Sequence, residues 1–323
     1  MPSGGLGGRR IYFGNSVFSA SKTDQLRYWR DAGERLGFVP VRHHESPNEV
    51  FLHNLRISDA LRVIITPGLR GLPRSAIITE PKVVLPHLAW KLWERIFNTI
   101  FWLGRISPTG ESFANPYEFP VHLEIPGVEG RVNNVVLVNA NKISMSKGEL
   151  YSLRRQAILA HPDIHVYGSG WNDSALQRVL RVGKESIIAL AHPAGWTLGT
   201  RALWLTPANY RGVIRDKISV TSRYKVSLVI ENSQEGVTEK LFDAWVAGCI
   251  PVYVGPNLSS FDIPKTLVVQ ADASTDSIHD AISLALQMDH GAFLEELGAW
   301  IGDSPAARFW AWEPAMRRIF ERP

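Results

Sequence analysis

The sequence predicts two α/β domains, each with a parallel sheet covered by helices, facing a common cleft. Three observations lead there. β-Branched runs of strand length alternate with amphipathic stretches of helix length. The alternation begins afresh after a turn-rich stretch near the middle of the chain. The chain has 323 residues, 45% apolar and 20% charged, and near this size a single core tends to split in two. Internal repeats and low-complexity segments are absent from the sequence.

In chain order, "RRIYFG" and "FVPVRHH" read as short strands around a helix from about Thr23 to Leu36. Leu26, Trp29, Ala32 and Leu36 recur there at helical spacing, and Gly37 supplies the stop. "ALRVIIT" and "SAIIT" are further apolar runs bounded by Gly and Pro. Leu88 to Arg105 reads as a helix running into a strand. "PTGESFANPYEFP" and "EIPGVEG" suggest a linker near residues 106–131. This sets the expected domains at 1–130 and 131–323, with the last helix a candidate to pack back on the first domain. The second half opens with the strand "NNVVLVNAN", the helix "KGELYSLRRQAILAH" and the strand "IHVYG". After a polar region come the strand "YKVSLVIEN", the helix "VTEKLFDAWVAG" and the strand "IPVYVG".

Composition removes several function classes. The net charge of +4 and pI near 9.2 are spread along the chain, whereas nucleic-acid binders concentrate their charge. The single cysteine, Cys249, excludes an intramolecular disulfide. The start "MPSGGLGGRR" has no apolar run behind it and predicts no signal peptide. "LAWKLWERIFNTIFWLG" carries Lys91, Glu94 and Arg95, too many charges for a bilayer span. It reads as a buried amphipathic helix, with a membrane-surface helix as the alternative. The eleven tryptophans are expected mostly in packing. His43 and His44 lack a second ligand pair and read as loop residues rather than a metal site.

The stretch "ENSQEGVTEKLFDAWVAGCIPVYVG" carries the clearest chemistry. The preceding strand is apolar and β-branched, so it belongs in the middle of a sheet. Asn232 and Ser233 lie just past its carboxyl end, where open α/β sheets bind ligands. The next helix begins with Thr238, Glu239 and Lys240. A glutamate suits a helix N-terminus, but a lysine there calls for an anion. Free N–H groups and the dipole point the same way, toward a diphosphate.

This block resembles the donor-binding motif of glycosyltransferase family 10, the α1,3/α1,4-fucosyltransferases, bacterial type. The match runs through Glu231-Asn232-Ser233, Thr238-Glu239-Lys240, Ala247-Gly248 and Pro251-Val252. "YRGVIRDKISVTSRYK" and "IHVYGSGW" resemble flanking family segments. The resemblance covers about Asn134 to Asp272. It implies a GT-B fold, with two Rossmann-like domains, the donor bound by the second and the glycan acceptor by the first. It also implies a GDP-sugar donor, usually GDP-fucose, and inversion at the anomeric carbon. Carried over residue by residue, Lys240 contacts the diphosphate and Glu239 the ribose or donor sugar. Glu231, Asn232, Ser233 and Thr238 line the donor cleft. An arginine on the first helix of the donor domain is the second phosphate clamp, and Arg154 and Arg155 are the candidates. Consecutive helical residues point about 100° apart, so one is expected in the cleft and the other on the surface, with Arg154 preferred. Tyr167 and Gly168 approach the base, Tyr167 with packing as its alternative. Where the family commonly has an aromatic residue before Val-Thr-Glu-Lys, this chain has Gly236, which leaves the donor sugar open.

Inverting transfer needs one general base and a means of neutralising the departing diphosphate. The sequence has no Asp-x-Asp pair, so cations and a helix dipole are expected in place of a metal or other cofactor. The base is expected from the first domain. Glu80 follows "SAIIT" and precedes Pro81, at a strand end. The family places a catalytic carboxylate after a comparable strand. A capping or surface role is the alternative for Glu80, and Glu45 is the second candidate. The expected product is a bacterial surface polysaccharide or lipopolysaccharide made in the cytoplasm, with a peripheral contact at the inner membrane face left open. The rivals are another nucleotide sugar on the same fold and a non-catalytic sugar-nucleotide or glycan-binding module.

Overall fold

The computed structural model describes residues 8–14, 26–55, 57–80, 84, 92–102, 124–190, 202–260, 263–303 and 312–320. The chain divides into two compact units. The first comprises Met1–Glu80, Leu88–Glu118 and Arg308–Pro323, and the second Pro81–His87 and Phe119–Ala307. The C-terminal segment is grouped with the first unit. Most of the linker expected near 106–131, the start of the first helix and residues 88–91 lie outside the described residues.

The first unit holds β1 (Arg10–Tyr12), β2 (Val39–Pro40), β3 (Glu49–His53), β4 (Arg74–Ile78) and β5 (Thr99–Trp102), all parallel, in the order β2-β1-β3-β4-β5. Its helices are α1 (Leu26–Arg35), α2 (Ile57–Ile65) and α3 (Leu92–Ile96). The apolar run "ALRVIIT" is therefore mostly helix, and "SAIIT" is mostly strand. Trp29, Ala32 and Leu36 are buried with Ile11, Phe51 and Ile77, as the helical spacing requires. Gly37 follows at φ +87°, a conformation that costs glycine little. The last helix, α10 (Trp312–Phe320), packs on α1: the Trp312 ring meets Trp29 edge-on at 4.9 Å, and Met316 is fully buried.

The second unit repeats the topology. Its strands are β6 (Val132–Val138), β7 (His165–Tyr167), β8 (Tyr224–Ile230), β9 (Ile250–Val254) and β10 (Val269–Gln270). They are parallel in the order β10-β9-β8-β6-β7, so β8 is central. The helices are α4 (Tyr151–Ala160), α5 (Ala175–Leu190), α6 (Lys217–Thr221), α7 (Glu239–Val246), α8 (Thr275–Gln287) and α9 (His290–Asp303). Helix α7 ends at Gly248, φ +68°. Arg131 donates 2.9 Å to the Ala247 carbonyl there, a cation at the end where the dipole favours one. Trp171 and Trp245 are fully buried, in keeping with packing roles.

In each unit the chain leaves the first strand to one side and returns on the other. The crevice between β1 and β3, and that between β6 and β8, are topological switch points. Ligands of open α/β sheets bind outside the carboxyl ends of the strands at such places. Among the described residues no helix is long and apolar enough to cross a membrane.

Candidate functional site

The second unit's switch point is organised around a buried acid. Glu231, the first residue past β8, is 0% exposed. Its carboxylate accepts the Thr238 backbone N–H at 2.7 Å, the Thr238 hydroxyl at 2.7 Å and Lys240 Nζ at 3.1 Å. Lys240 Nζ also donates to Thr238 Oγ1 at 2.6 Å. An ammonium has three donors, and Glu231 and Thr238 fix two of them. Thr238 is the N-cap of α7, yet its side chain makes no capping bond. The hydroxyl is turned toward Glu231 instead, so it takes none of the first-turn N–H groups of α7. Burial first, and then the charge of Glu231, hold the Tyr253 hydroxyl well above the ordinary tyrosine range.

Glu239 is different. Its side chain is 51% exposed, with Oε1 3.9 Å from Lys240 Nζ. Desolvation raises its pKa, but Lys240, Lys217, its own backbone N–H and Lys142 outweigh that and hold it below the usual value. It stays ionised and available to donors such as hydroxyls. Lys217 and Lys142 belong to this charge cluster. The sequence reading assigned neither, because their nearness to α7 depends on α6 and on the loop after β6.

Arg154 and Arg155 are both buried, which corrects the expectation that one would lie on the surface. Helix α4 packs on both sides of its arginine pair. Arg154 donates to the Ile230 and Glu231 carbonyls at 2.6 and 2.9 Å and to Asn232 Oδ1 at 3.0 Å. Arg155 reaches the Lys142 carbonyl at 2.9 Å and Ser152 Oγ at 3.0 Å. Desolvation lowers both pKa values, Arg155 to about 10, so Arg155 remains cationic at neutral pH. Arg154 therefore ties the end of β8 to α4. The loop after β6 is joined to the same place: the Leu150 N–H donates to the Asn232 carbonyl at 3.0 Å, and Glu149 bridges Ser233. Ser233 is buried and its Oγ accepts the Glu235 N–H at 3.1 Å, so it shapes the turn.

Beside this cluster lies a cavity of about 360 Å³ at the carboxyl ends of β6 and β7, lined among others by Asn141, Lys142, Ser144, Tyr151, Arg181 and Glu185. Small-ligand pockets start at about 300 Å³. Burial raises the Glu185 carboxyl above its ordinary value against the opposing pull of Lys184 and Lys142. Gly168 borders this region at φ +129°, and a Cβ there would sit 2.2 Å from the Asn139 carbonyl oxygen. We predict that Gly168→Ala lowers stability by about 1–3 kcal/mol or more from backbone strain, read as a lower denaturant midpoint at unchanged slope. The Tyr167 hydroxyl lies 3.1 Å from that of Tyr224, which is also 2.9 Å from His165. That contact is the packing alternative for Tyr167.

In the first unit Glu80 stands just past β4, at the carboxyl edge of the sheet, as its place in the sequence predicts. Its backbone N–H donates to Asn54 Oδ1 at 3.1 Å. His53 and Thr79 are beside it, with His53 Nε2 2.8 Å from Thr79 Oγ1. Glu45 is in the exposed turn after β2, where its carboxylate accepts the Arg42 N–H at 2.7 Å, so the structure uses it to close that turn. His53 and Asn54 were missed in the sequence because strand β3, whose end they occupy, was itself missed.

No known family model matches the chain. A putative fucosyltransferase-like protein of Arabidopsis thaliana is 51% identical over 49 residues, 14% of this chain and only 10% of that protein's length. Among solved structures, an α1,3-fucosyltransferase aligns with a TM-score of 0.51 at 14% identity, over 92% of this chain and 83% of the other. The same type of enzyme with GDP gives 0.50 at 15% identity, with the same coverage. Anabaena Alr3699/HepE in complex with UDP and glucose gives 0.54 at 12% identity, over 85% and 77%. These likenesses, with two parallel five-stranded sheets, establish the GT-B fold.

Proposed function

We propose that this chain is an inverting glycosyltransferase of the family 10 kind, which moves fucose from GDP-fucose to a hydroxyl of a glycan acceptor. One observation carries the reading. At a topological switch point, Lys240 is held by Glu231 and Thr238 at the start of α7, beside first-turn N–H groups that the N-cap side chain does not use. That is a fixed cationic seat for a diphosphate. The neighbouring cavity has room for the nucleoside end of the donor.

Chemistry follows from these parts. The acceptor hydroxyl gives its proton to the Glu80 carboxylate as its oxygen bonds to the anomeric carbon. The bond from that carbon to the diphosphate breaks on the opposite face, and GDP leaves with the electron pair. Lys240 and the α7 terminus stabilise the charge that develops on the diphosphate. Glu239, ionised and half-exposed, accepts hydroxyls of the ribose or donor sugar. Arg154 acts through the end of β8, which it holds in shape, and Arg155 through the loop at Lys142. In this reading the enzyme works in the cytoplasm on a precursor of a surface glycan, without nucleic acid.

The cations stand in for a metal in this scheme. Turnover is therefore expected to persist in excess chelator, and loss that manganese restores would contradict it. The test of the function itself is release of GDP from GDP-fucose by the purified protein, with and without a panel of acceptor oligosaccharides. The similarity to a fold bound to UDP and glucose makes UDP-glucose the comparison donor. Faster turnover of UDP-glucose would replace the donor in this proposal. Tight binding of GDP-fucose without release would point to a binding module.

A further inference from the structure

We infer that Asn54 is the positioning residue that aims the Glu80 carboxylate at the acceptor hydroxyl; the inference rests on Glu80 being the general base of the reading above. Asn54 lies at the end of β3, in the same topological place in its sheet as Glu231 in the second unit. Its backbone is left-handed, φ +47°, which is uncommon for a residue with a side chain. The side-chain amide crosses to the end of the neighbouring strand. Its Oδ1 accepts two successive backbone N–H groups, Thr79 at 2.8 Å and Glu80 at 3.1 Å. Its Nδ2 donates to Thr79 Oγ1 at 2.9 Å. Two N–H donors converge on one atom, so that atom must be the oxygen and the amide orientation is settled.

The backbone N–H of Asn54 donates to the Ile77 carbonyl at 2.8 Å, which seats the residue on β4. His53 Nε2 makes a further contact to Thr79 Oγ1 at 2.8 Å. A turn that only had to form would be served by glycine at φ +47° without the strain. An asparagine here holds the successive N–H groups of Thr79 and Glu80, and so fixes the backbone from which the Glu80 side chain leaves the strand end. Strain of this kind collects where geometry must be held, and a 1 Å misplacement of a reacting group costs on the order of 10²-fold in rate.

The test compares Asn54→Gly, Asn54→Asp and Glu80→Gln with the wild type, with GDP release from GDP-fucose as the rate. Asn54→Gly takes up φ +47° without strain and lacks the clamp. It is expected to stay folded and to keep its GDP affinity and donor KM, while kcat falls about 10²-fold. Hydrogen exchange at the Thr79 and Glu80 amides should quicken while the rest of the sheet stays protected. Asn54→Asp keeps an acceptor for both N–H groups but sets a second negative charge near Glu80. A nearby like charge raises a carboxyl pKa, so the acid limb of its pH–rate profile should move to higher pH. That shift reads the titration of Glu80, whereas the fall in kcat at unchanged KM and GDP affinity in Asn54→Gly reads the positioning.

The outcomes separate cleanly. If Glu80→Gln collapses the rate and Asn54→Gly leaves kcat unchanged, the inference is overturned and the base assignment stands. If Asn54→Gly also weakens GDP binding, the damage is general and the positioning role fails. If Glu80→Gln turns over normally, the base assignment itself is wrong. Should the wild type not turn over GDP-fucose, the functional reading falls, and unchanged exchange at Thr79 and Glu80 in Asn54→Gly would separately remove the clamp.

Discussion

Glu80→Gln is expected to fold, to bind GDP as the wild type does, and to lose about 10²–10⁴-fold in transfer rate, the usual contribution of a positioned base. The site explains why binding should survive. Glu80 belongs to the first unit, at the end of β4, whereas the cationic seat built from Lys240, Thr238 and Glu231 belongs to the second. Glutamine keeps the size and a carbonyl oxygen, and the backbone N–H that Asn54 holds is unchanged. The measurement is the initial rate of GDP release beside a calorimetric Kd for GDP. A near-normal rate in the folded variant would make Glu80 a turn residue and turn attention to Glu45.

Glu231→Ala should have the largest effect on stability. The carboxylate is wholly buried and receives the Thr238 N–H, the Thr238 hydroxyl and Lys240 Nζ. Removing it leaves a cation that is 12% exposed without its buried anchor, with Glu239 3.9 Å away, and an N–H without the acceptor it had. Breaking a buried pair from one side costs about 3–5 kcal/mol, a large share of the 5–15 kcal/mol typical of a domain. Denaturant unfolding should show this as a midpoint shift, and GDP affinity should fall as Lys240 loses its anchor. A loss under about 1 kcal/mol would mean that the pair contributes little and that Lys240 is held by other means.

How far the sequence reaches can be judged from single elements. Helix α7 and strand β9 were legible because Leu241, Phe242 and Trp245 keep helical spacing, Gly248 stops the helix and a β-branched run follows. The cation at the helix start was legible for the same reason. Local pattern sufficed, since every cue lies within a few residues. Strand β3 was missed because its five residues sit between Asn48 and Asn54 without a longer apolar run. Helix α5 was passed over inside a stretch read as polar, although its apolar residues recur at helical spacing; the structure leaves Leu176, Leu180 and Ile187 exposed.

The burial of both arginines was beyond reach in another way. Whether Arg154 meets a ligand or the carbonyls of Ile230 and Glu231 depends on how α4 crosses the end of β8, and the spacing within α4 says nothing of that. Asn54 has the same character, because its partners lie 25 and 26 residues away, on a strand whose neighbour was not known.

The central claim is that the carboxyl edge of the second sheet seats a nucleoside diphosphate on Lys240. The most direct measurement is a calorimetric titration of GDP into the wild type and into folded Lys240→Ala, in excess chelator. Wild-type binding is expected, with a loss of about 1.5–3 kcal/mol in the variant, the usual worth of a hydrogen bond to a charged group. That is on the order of ten-fold or more in Kd. Absence of GDP binding to the wild type, or equal affinity in the two proteins, would contradict the account.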